Sequence, residues 1–519
     1  MRIFDHFDWH AREQPDAAFA WFAGREISYR EALARANQIA NALVAEGLPQ
    51  GARVAFLSKN CAEYALFYYG AAKAGVVPVP LNFRLAPPEW SYIVNDARAE
   101  LLFARGALVG AIDPLRAELG SLKRCLALDA APPAGWESYE RWLARSPSTK
   151  PTRVIDDSAD VYQMYTSGTT GRPKGAVLQH RAVTSNAQQV SAVTQISPGE
   201  RYLVVAPMYH AAAAVSSFWV IGQGGTLYIH EDFAPADVVR ALSEQQIVAA
   251  TLVPAMIQAC LVTVPDVAKR SYESLRTIIY GASPIAVETL RRALEVFGCG
   301  FAQGFGMTET TAAATFLLPS DHTRALRERP GLLLSCGRAL PGTDVMIADA
   351  DDSEVPRGEI GEILVRGPQI MRGYWNLPEA SAEALRGGWM HTGDAATMDD
   401  EGYVYIQDRV KDMIVSGGEN VYPREVEDVL FRHPAVADAA VIGVPDTQWG
   451  EAVKAIVVLK QGASASEAEL IEHARKALAS YKRPRSVDFV AELPRNPSGK
   501  VLKKDLREPF WRGHTRRVG

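Results

Sequence analysis

Val161–His180 reads VYQMYTSGTTGRPKGAVLQH, two apolar runs joined by a segment of Ser, Thr and Gly that ends on a lysine. A Walker phosphate loop places its lysine directly after the second glycine, with a hydroxyl residue next. Here Pro173 precedes Lys174 and Gly175 follows it, so that reading fails. The chemistry of a phosphate grip remains. Thr166, Ser167, Thr169 and Thr170 offer hydroxyl donors, Gly168 and Gly171 let backbone amides approach an anion, and Lys174 adds a cation. Gly and Thr enrichment alone would equally describe an exposed flexible loop.

Outward from this loop the chain is long and of globular balance. Its 519 residues, 48% hydrophobic and 22% charged, predict two or three domains with sizeable cores. A net charge of −5 supplies no basic field for a nucleic acid partner. Cys61, Cys125, Cys260, Cys299 and Cys336 are scattered singly and odd in number, the usage of a reducing cytoplasm and not of a disulfide framework or zinc site. The opening MRIFDHFDWHAREQPDA lacks the apolar run of a secretory signal, RRVG is not a peroxisomal address, and no stretch reaches the roughly 18 apolar residues of a membrane span. A cytoplasmic protein is expected, with KVLKKDLREPFWRGHTRRVG read as a basic solvated tail; peripheral membrane contact and a homodimer stay open.

Strand-like and helix-like runs alternate on both sides of the loop. YREALARANQIANALVAEGL carries Leu33, Ala36, Ile39, Ala40, Leu43 and Val44 on one helical face and ends at Gly47. RVAFLS, CAEYALFYYGAAKAG and VVPVPL then read as strand, helix and strand, and the rhythm returns in RYLVVAP, AAAVSSFWVIG, TLYIH, AATLVPA and LRTIIYGAS. This predicts parallel sheets covered by helices. From about residue 337 to 407 the runs shorten and become β-rich between Gly, Asp and Pro, as in a small β-barrel or meander. ADAAVIGVP, EAVKAIVVLK, SEAELIEHARKALASY and VDFVAEL predict a separate α+β domain. The expected class is therefore α/β: an N-terminal domain over 1–407 of layered α/β sheets plus a small β-barrel, a hinge over 408–412, and a small mobile α+β C-terminal domain over 413–519.

Four further segments carry chemistry. In GFGMTET, Gly304–Thr310, Phe305 can stack on a purine, Thr308 can donate to a phosphate, and Glu309 is a hard oxygen ligand suited to Mg²⁺. WMHTGDAATMDDEGYVYIQDR places Asp394 after a glycine, where a turn role is the plain reading and a diol contact the functional one. DRVKDMIVSGGENVYPREVE reads as an interdomain linker. PRNPSGKVLKKDLRE sets Lys500 after a turn.

Together with TSGTTGRPKG these segments, in this order, resemble the signatures of the adenylate-forming superfamily, which includes acyl-CoA synthetases, peptide-synthetase adenylation domains and luciferases. The resemblance implies ATP binding by Thr166, Ser167, Gly168, Thr169, Thr170, Gly171, Lys174, Gly281, Ala282, Ser283, Gln303, Gly304, Phe305 and Gly306. It implies ribose binding by Asp394 supported by Arg409, and Mg²⁺ on Glu309 with Thr170. Lys411 matches the hinge and Lys500 the lysine that bridges carboxylate and ATP, so Lys500, Thr308, Glu309 and His210 form the expected catalytic set. Gly417 and Gly418 match the pantetheine tunnel, while Arg84, Trp449, Tyr481 and Arg483 match CoA-nucleotide contacts. His210, Ala211, Ala212, Ala214, Gly281, Gly306 and Met307 match the acyl pocket.

The aspartate that peptide-synthetase domains place after an aromatic is here Tyr209-His210, which disfavours an amino acid substrate. The alanine run leaves volume for a medium or long acyl chain, or for a substituted aromatic acid. The blocks look closest to FadD-type fatty-acyl-CoA synthetases, with aryl-CoA ligases sharing nearly the same motifs. The expected activity is an ATP-dependent acid–CoA ligase acting on a small carboxylic acid, ATP and CoA. A stand-alone adenylating enzyme feeding a carrier protein is one alternative. A non-catalytic binding protein on the same scaffold is the other, and the presence of Lys500, Glu309 and Asp394 argues against it.

Overall fold

Runs apolar on both faces become buried parallel strands here, because helices cover each face and no side need be polar. The computed structural model describes residues 1–129, 131–166, 173–283, 285–409, 412–416, 419–446, 449–495 and 501–512, with backbone alone at 408, 409, 419 and 420. The chain divides into two compact units. The first holds Met1–Leu333, Gly337–Asp344 and Val365–Met390; the second holds Leu334–Cys336, Val345–Leu364 and the rest from His391.

The first unit is built on three sheets. A five-stranded parallel sheet runs in the order Val77–Leu81, Arg53–Leu57, Leu101–Ala104, Arg124–Ala127, Glu137–Ser138. RVAFL and VPVPL are buried at every position, the continuous apolar pattern of a sheet covered on both sides. A nine-stranded sheet centres on Ile247–Thr251, Thr277–Gly281 and Gly300–Phe305, all parallel, and is extended antiparallel by Thr315–Leu317. The third sheet has Gly373–Tyr374, Lys174–Gln179 and Asp160–Thr166 side by side, antiparallel throughout.

Helices form where the pattern has a 3.6 period and a cap. Tyr29–Ala45 starts on Ser28, whose hydroxyl accepts from the Glu31 amide at 3.2 Å, an ordinary N-cap. It ends two residues before Gly47, which supplies φ +76°. Ala62–Ala74 is buried over nearly its whole length, so AEYALFYYGAAKA shows no polar face.

In the second unit the β-rich region becomes a sheet ordered Asp344–Ala348, Gly361–Arg366, Met390–Met398, Val404–Arg409. The C-terminal part is α+β: strands Val436–Asp446 and Gly450–Leu459 pair antiparallel over ten residue pairs, and Ser486–Phe489 adds in parallel. Helices Pro423–Phe431 and Glu467–Arg475 bury Val426, Val429, Leu430, Leu470 and Ala474 against them. The expectation of a solvated basic tail is corrected over Lys503–Trp511, which is a helix. Its Leu506 and Phe510 pack on Ala440, Ile442, Ile456 and Leu493. The pattern hid it because only this i, i+4 pair is apolar and Pro509 interrupts the run.

Candidate functional site

Strand ends assemble most of the predicted residues of the first unit. Thr166 closes the strand Asp160–Thr166 and lies opposite Lys174, which opens Lys174–Gln179. The Thr166 hydroxyl donates to the Lys174 carbonyl at 3.4 Å. The loop is therefore carried on a hairpin, although Ser167, Gly168, Thr169, Thr170 and Gly171 themselves lie outside the described residues. Beneath the hairpin is a dense polar support. Arg53 pairs with Asp160 (2.9 Å), bonds Gln163 (3.0 Å) and stacks 3.6 Å from the centre of the Trp375 ring. Gln163 donates to the Tyr165 hydroxyl (3.2 Å), which donates to Asp96 (2.5 Å).

Two further motifs leave the C-terminal ends of adjacent parallel strands. Gly281 is in register with Gly304, and Tyr280 with Gln303. A side chain at Gly281 would collide with the Gly304 carbonyl oxygen, and one at Gly306 with the Ala312 carbonyl oxygen. These glycines are thus required by strand approach, independently of any ligand. Ala282 follows with φ +64°, turning the chain so that Ala282 is exposed and Ser283 half-buried. The Gln303 carboxamide accepts from Tyr280 at 3.2 Å. Phe305, Met307 and Thr308 are half-buried.

The backbone after Glu309 is strained. Thr311 has φ +69° and ψ −61°, and the Ala312 amide bonds the Thr310 carbonyl two residues back at 2.9 Å. This is a γ-turn of the rarer hand, a conformation that persists only where its surroundings hold it. The holding contacts are the Thr311 hydroxyl on the Gln369 carbonyl (2.5 Å) and the Met371 amide on the Glu309 carbonyl (2.8 Å). Glu309 is 4% exposed, and its Oε1 accepts from the Tyr374 hydroxyl at 2.8 Å. Lys174 Nζ lies 5.0 Å from the centre of the same Tyr374 ring. Tyr374 belongs to none of the signature segments; its signal was the GYW of MRGYWN, an aromatic on the edge strand paired with the lysine strand.

His210 caps the helix Ala211–Gly222, with Nδ1 accepting from the Ala212 amide at 3.3 Å. Burial lowers its pKa, so the ring is neutral at pH 7 with its proton on Nε2. Ala211 and Ala214 are buried and Ala212 half-buried; along this helix up to Ile221, Ala212 and Ser216 alone escape full burial. They are four residues apart and share a face. Beside them the Tyr202 hydroxyl shares a hydrogen bond with the Thr251 hydroxyl. Arg84 lies 3.7 Å from Asp232 and 5.2 Å from the centre of the Phe83 ring.

In the second unit Asp394 is opposite Arg409 on the paired strands and is 7% exposed, its amide bonded to the Thr392 hydroxyl at 3.1 Å. Trp449 lies under the Arg485 guanidinium, 5.2 Å from ring to cation, and its amide bonds Asp446. Tyr481 occupies the single turn Ser480–Lys482, and Arg483 bonds the Leu478 carbonyl. Arg485 is an addition to the predicted set, two residues beyond Arg483. Lys411, Gly417, Gly418 and Lys500 lie outside the described residues. Among the described residues no group of three or more His, Cys, Asp or Glu could by itself hold a metal ion, and no helix is long and apolar enough to cross a membrane.

A large α/β unit with a glycine-threonine loop on a hairpin and a buried glutamate beside it, followed by a small α+β part, defines an adenylate-forming architecture. The profile of the AMP-binding enzyme family matches residues 7–375, and that of the AMP-binding enzyme C-terminal domain matches 425–500. The chain belongs to this family, on its acyl-CoA synthetase branch, and is an AMP-forming acid–thiol ligase by class. It is 39% identical to the fatty acid–[acyl-carrier-protein] ligase ScoC of Streptomyces coeruleorubidus, over 98% of this chain and 96% of the relative. It is 40% identical to a feruloyl-CoA synthase of an Amycolatopsis species, over 96% and 97%. The solved structure of Mycobacterium tuberculosis fatty acyl CoA synthetase matches with a TM-score of 0.79 at 34% identity, covering 99% of both chains.

Proposed function

We propose that this chain is an ATP- and Mg²⁺-dependent acid–CoA ligase that forms an acyl-adenylate and passes the acyl group to CoA. A carboxylate is a poor acyl donor because oxide would have to leave. In the first step its oxygen attacks the α-phosphorus of ATP, and the bond to the bridging oxygen breaks to release pyrophosphate. In the second, the CoA sulfur attacks the mixed anhydride carbonyl and AMP departs with the bond electrons.

The observation that carries the reading is the convergence of Lys174 and Glu309 on Tyr374, beside the hairpin of the loop. The first step needs an anion to approach a polyanion, and a cation and a metal-ligating carboxylate side by side meet that need. Glu309 is a single buried carboxylate already oriented by a neutral donor. That fits Mg²⁺, which binds through one or two carboxylates and brings phosphate and water as its remaining ligands. When bound, the ion would screen the phosphates and polarise the phosphoryl group. Thr166, Lys174 and the loop hydroxyls are assigned to the polyphosphate, Gly281–Ser283 and Gln303–Gly306 to the nucleoside, and Asp394 to the ribose. His210, neutral and donating through Nε2, is assigned to the substrate carboxylate, and Lys500 to the bridge between carboxylate and α-phosphate. Lys411 is the proposed hinge, and Arg84, Trp449, Tyr481 and Arg483, joined by Arg485, the CoA set.

For the acid, the alanines 211, 212 and 214 support a medium or long acyl chain. A second reading, an aryl acid bearing a hydroxyl, is favoured by the bonded Tyr202–Thr251 hydroxyl pair and by Ser216 on the accessible face that it shares with Ala212. The relatives' names include both a fatty acid ligase and a feruloyl-CoA synthase.

Pyrophosphate release measured over fatty, benzoic and hydroxycinnamic acids tests all of this. Acid-dependent release, with thioester only when CoA is added, is expected; acceptance of a phosphopantetheinyl carrier protein in place of CoA would redirect the second step. The Lys500→Ala variant is expected to lose adenylate formation by on the order of 10²–10³ while still converting supplied acyl-adenylate to thioester. Equal loss of both halves would remove Lys500 from its assigned role.

A further inference from the structure

The segment Met371–Trp375 is a strap between two signature motifs. Its amides bond Glu309 at one end (Met371 to the Glu309 carbonyl, 2.8 Å) and the strand Lys174–Gln179 at the other. There Arg372 donates to Val177 (2.9 Å) and Trp375 to Gly175 (2.7 Å). Gly373 and Tyr374 stand opposite Val177 and Ala176 in antiparallel register, and the Tyr374 amide is tied to the Ser381 hydroxyl at 2.8 Å. Tyr374 is thereby fixed by its backbone on both edges, and its ring has little freedom to move.

What the ring then does is chemical. Its hydroxyl donates to Glu309 Oε1 at 2.8 Å, and its face lies 5.0 Å from the Lys174 ammonium, within the range of a cation–π contact. A buried carboxylate needs a hydrogen-bonding partner, and a flexible lysine chain costs rotamer entropy to hold still. An arginine or aspartate in this place would orient one of the two groups but cancel its charge. A neutral phenol contacts each of them without adding a charge of its own.

We propose that Tyr374 is a positioning residue for the adenylation step: it holds the Glu309 carboxylate and the Lys174 ammonium together at the spacing that receives a magnesium–nucleoside triphosphate complex. This rests on the ligase reading given above. The hydroxyl governs the metal side through Glu309, and the ring governs the phosphate side through Lys174. The two parts of one side chain are therefore separable by mutation.

Tyr374→Phe keeps the ring and removes the hydroxyl; Tyr374→Leu removes both. ATP binding is read by calorimetry with Mg²⁺ and with EDTA, next to pyrophosphate release and thioester formation from supplied acyl-adenylate. Tyr374→Phe is expected to weaken ATP binding in Mg²⁺ by about 10–100-fold, as loss of an outer contact to a metal ligand does. The same variant should raise the Mg²⁺ needed for half-maximal pyrophosphate release and leave EDTA binding and the thioester step unchanged. Tyr374→Leu is expected to weaken ATP binding in EDTA as well. Wild-type Mg²⁺ dependence in Tyr374→Phe overturns the proposal, as does an equal loss in every readout, which would mark a structural role. Calorimetry separates this from the ligase reading: a wild-type chain that binds Mg²⁺–ATP but releases no pyrophosphate with any acid refutes that reading and not the role of Tyr374.

Discussion

Burial favours the neutral ring at both His180 and His210, and at His180 this has a measurable consequence. His180 opens the helix His180–Ser191; its Nδ1 accepts from the Ile3 amide at 3.2 Å, and Nε2 is buried without a hydrogen-bond partner. Desolvation pushes its pKa down to about 3, against about 6.5 in the unfolded chain. Between those values the unfolded state binds the extra proton, so stability falls as pH drops through the window. By pH 5 this one group costs about 2 kcal/mol. A His180→Gln variant should therefore lose less stability than wild type between pH 7 and pH 5, by about that amount in urea unfolding; equal losses would refute the assignment. Glu309, Asp394 and Lys500 were singled out in the sequence because short motifs surround them. Tyr374 was not, since its two contacts come from residues 65 and 200 positions away in the chain.

Among the elements, the helix Lys503–Trp511 anchors the chain that follows Lys500 in sequence. Residues 496–500 connect Arg495 and Val501, which form an antiparallel bridge. The Leu502 amide bonds the Pro494 carbonyl at 2.8 Å, Arg495 pairs with Asp438 at 2.5 Å, and the Trp511 indole donates to Gly443 at 2.9 Å. Lys503 pairs with Glu427 at 2.9 Å, and the same Glu427 oxygen accepts from the Val441 amide at 2.8 Å. Both side chains of that pair are largely buried, and removing Glu427 takes away both this ion pair and the acceptor of the Val441 amide. Glu427→Ala should cost about 3 kcal/mol in the unfolding of the C-terminal part, and should slow adenylation more than thioester formation because the anchor of Lys500 loosens. Unchanged adenylation in a folded variant would separate this helix from the function of Lys500. The strands and the amphipathic helices were read correctly from their periods. This helix was missed because the partners that stabilise it, Glu427 and Gly443, lie outside its own pattern.

For the whole molecule, the proposed reaction has two steps whose groups exclude one another: Lys500 is assigned to the first, and in the second a thiol takes its turn at the same carbonyl. A swing of the C-terminal part about Lys411 would meet this requirement. Lys411→Pro, which fixes φ and removes an amide donor, is expected to impair thioester formation more than pyrophosphate release; the reverse pattern would displace the hinge. The sequence by itself determined the class of fold, the order of the motifs and the chemistry they carry, because apolar period and loop composition are local properties of the chain. Only the tertiary structure decided that Gly281 and Gly306 are demanded by backbone approach, that Thr311 is held in a strained turn after Glu309, and that one phenol serves both Glu309 and Lys174. Those depend on which strands become neighbours, and that is settled by packing across hundreds of residues.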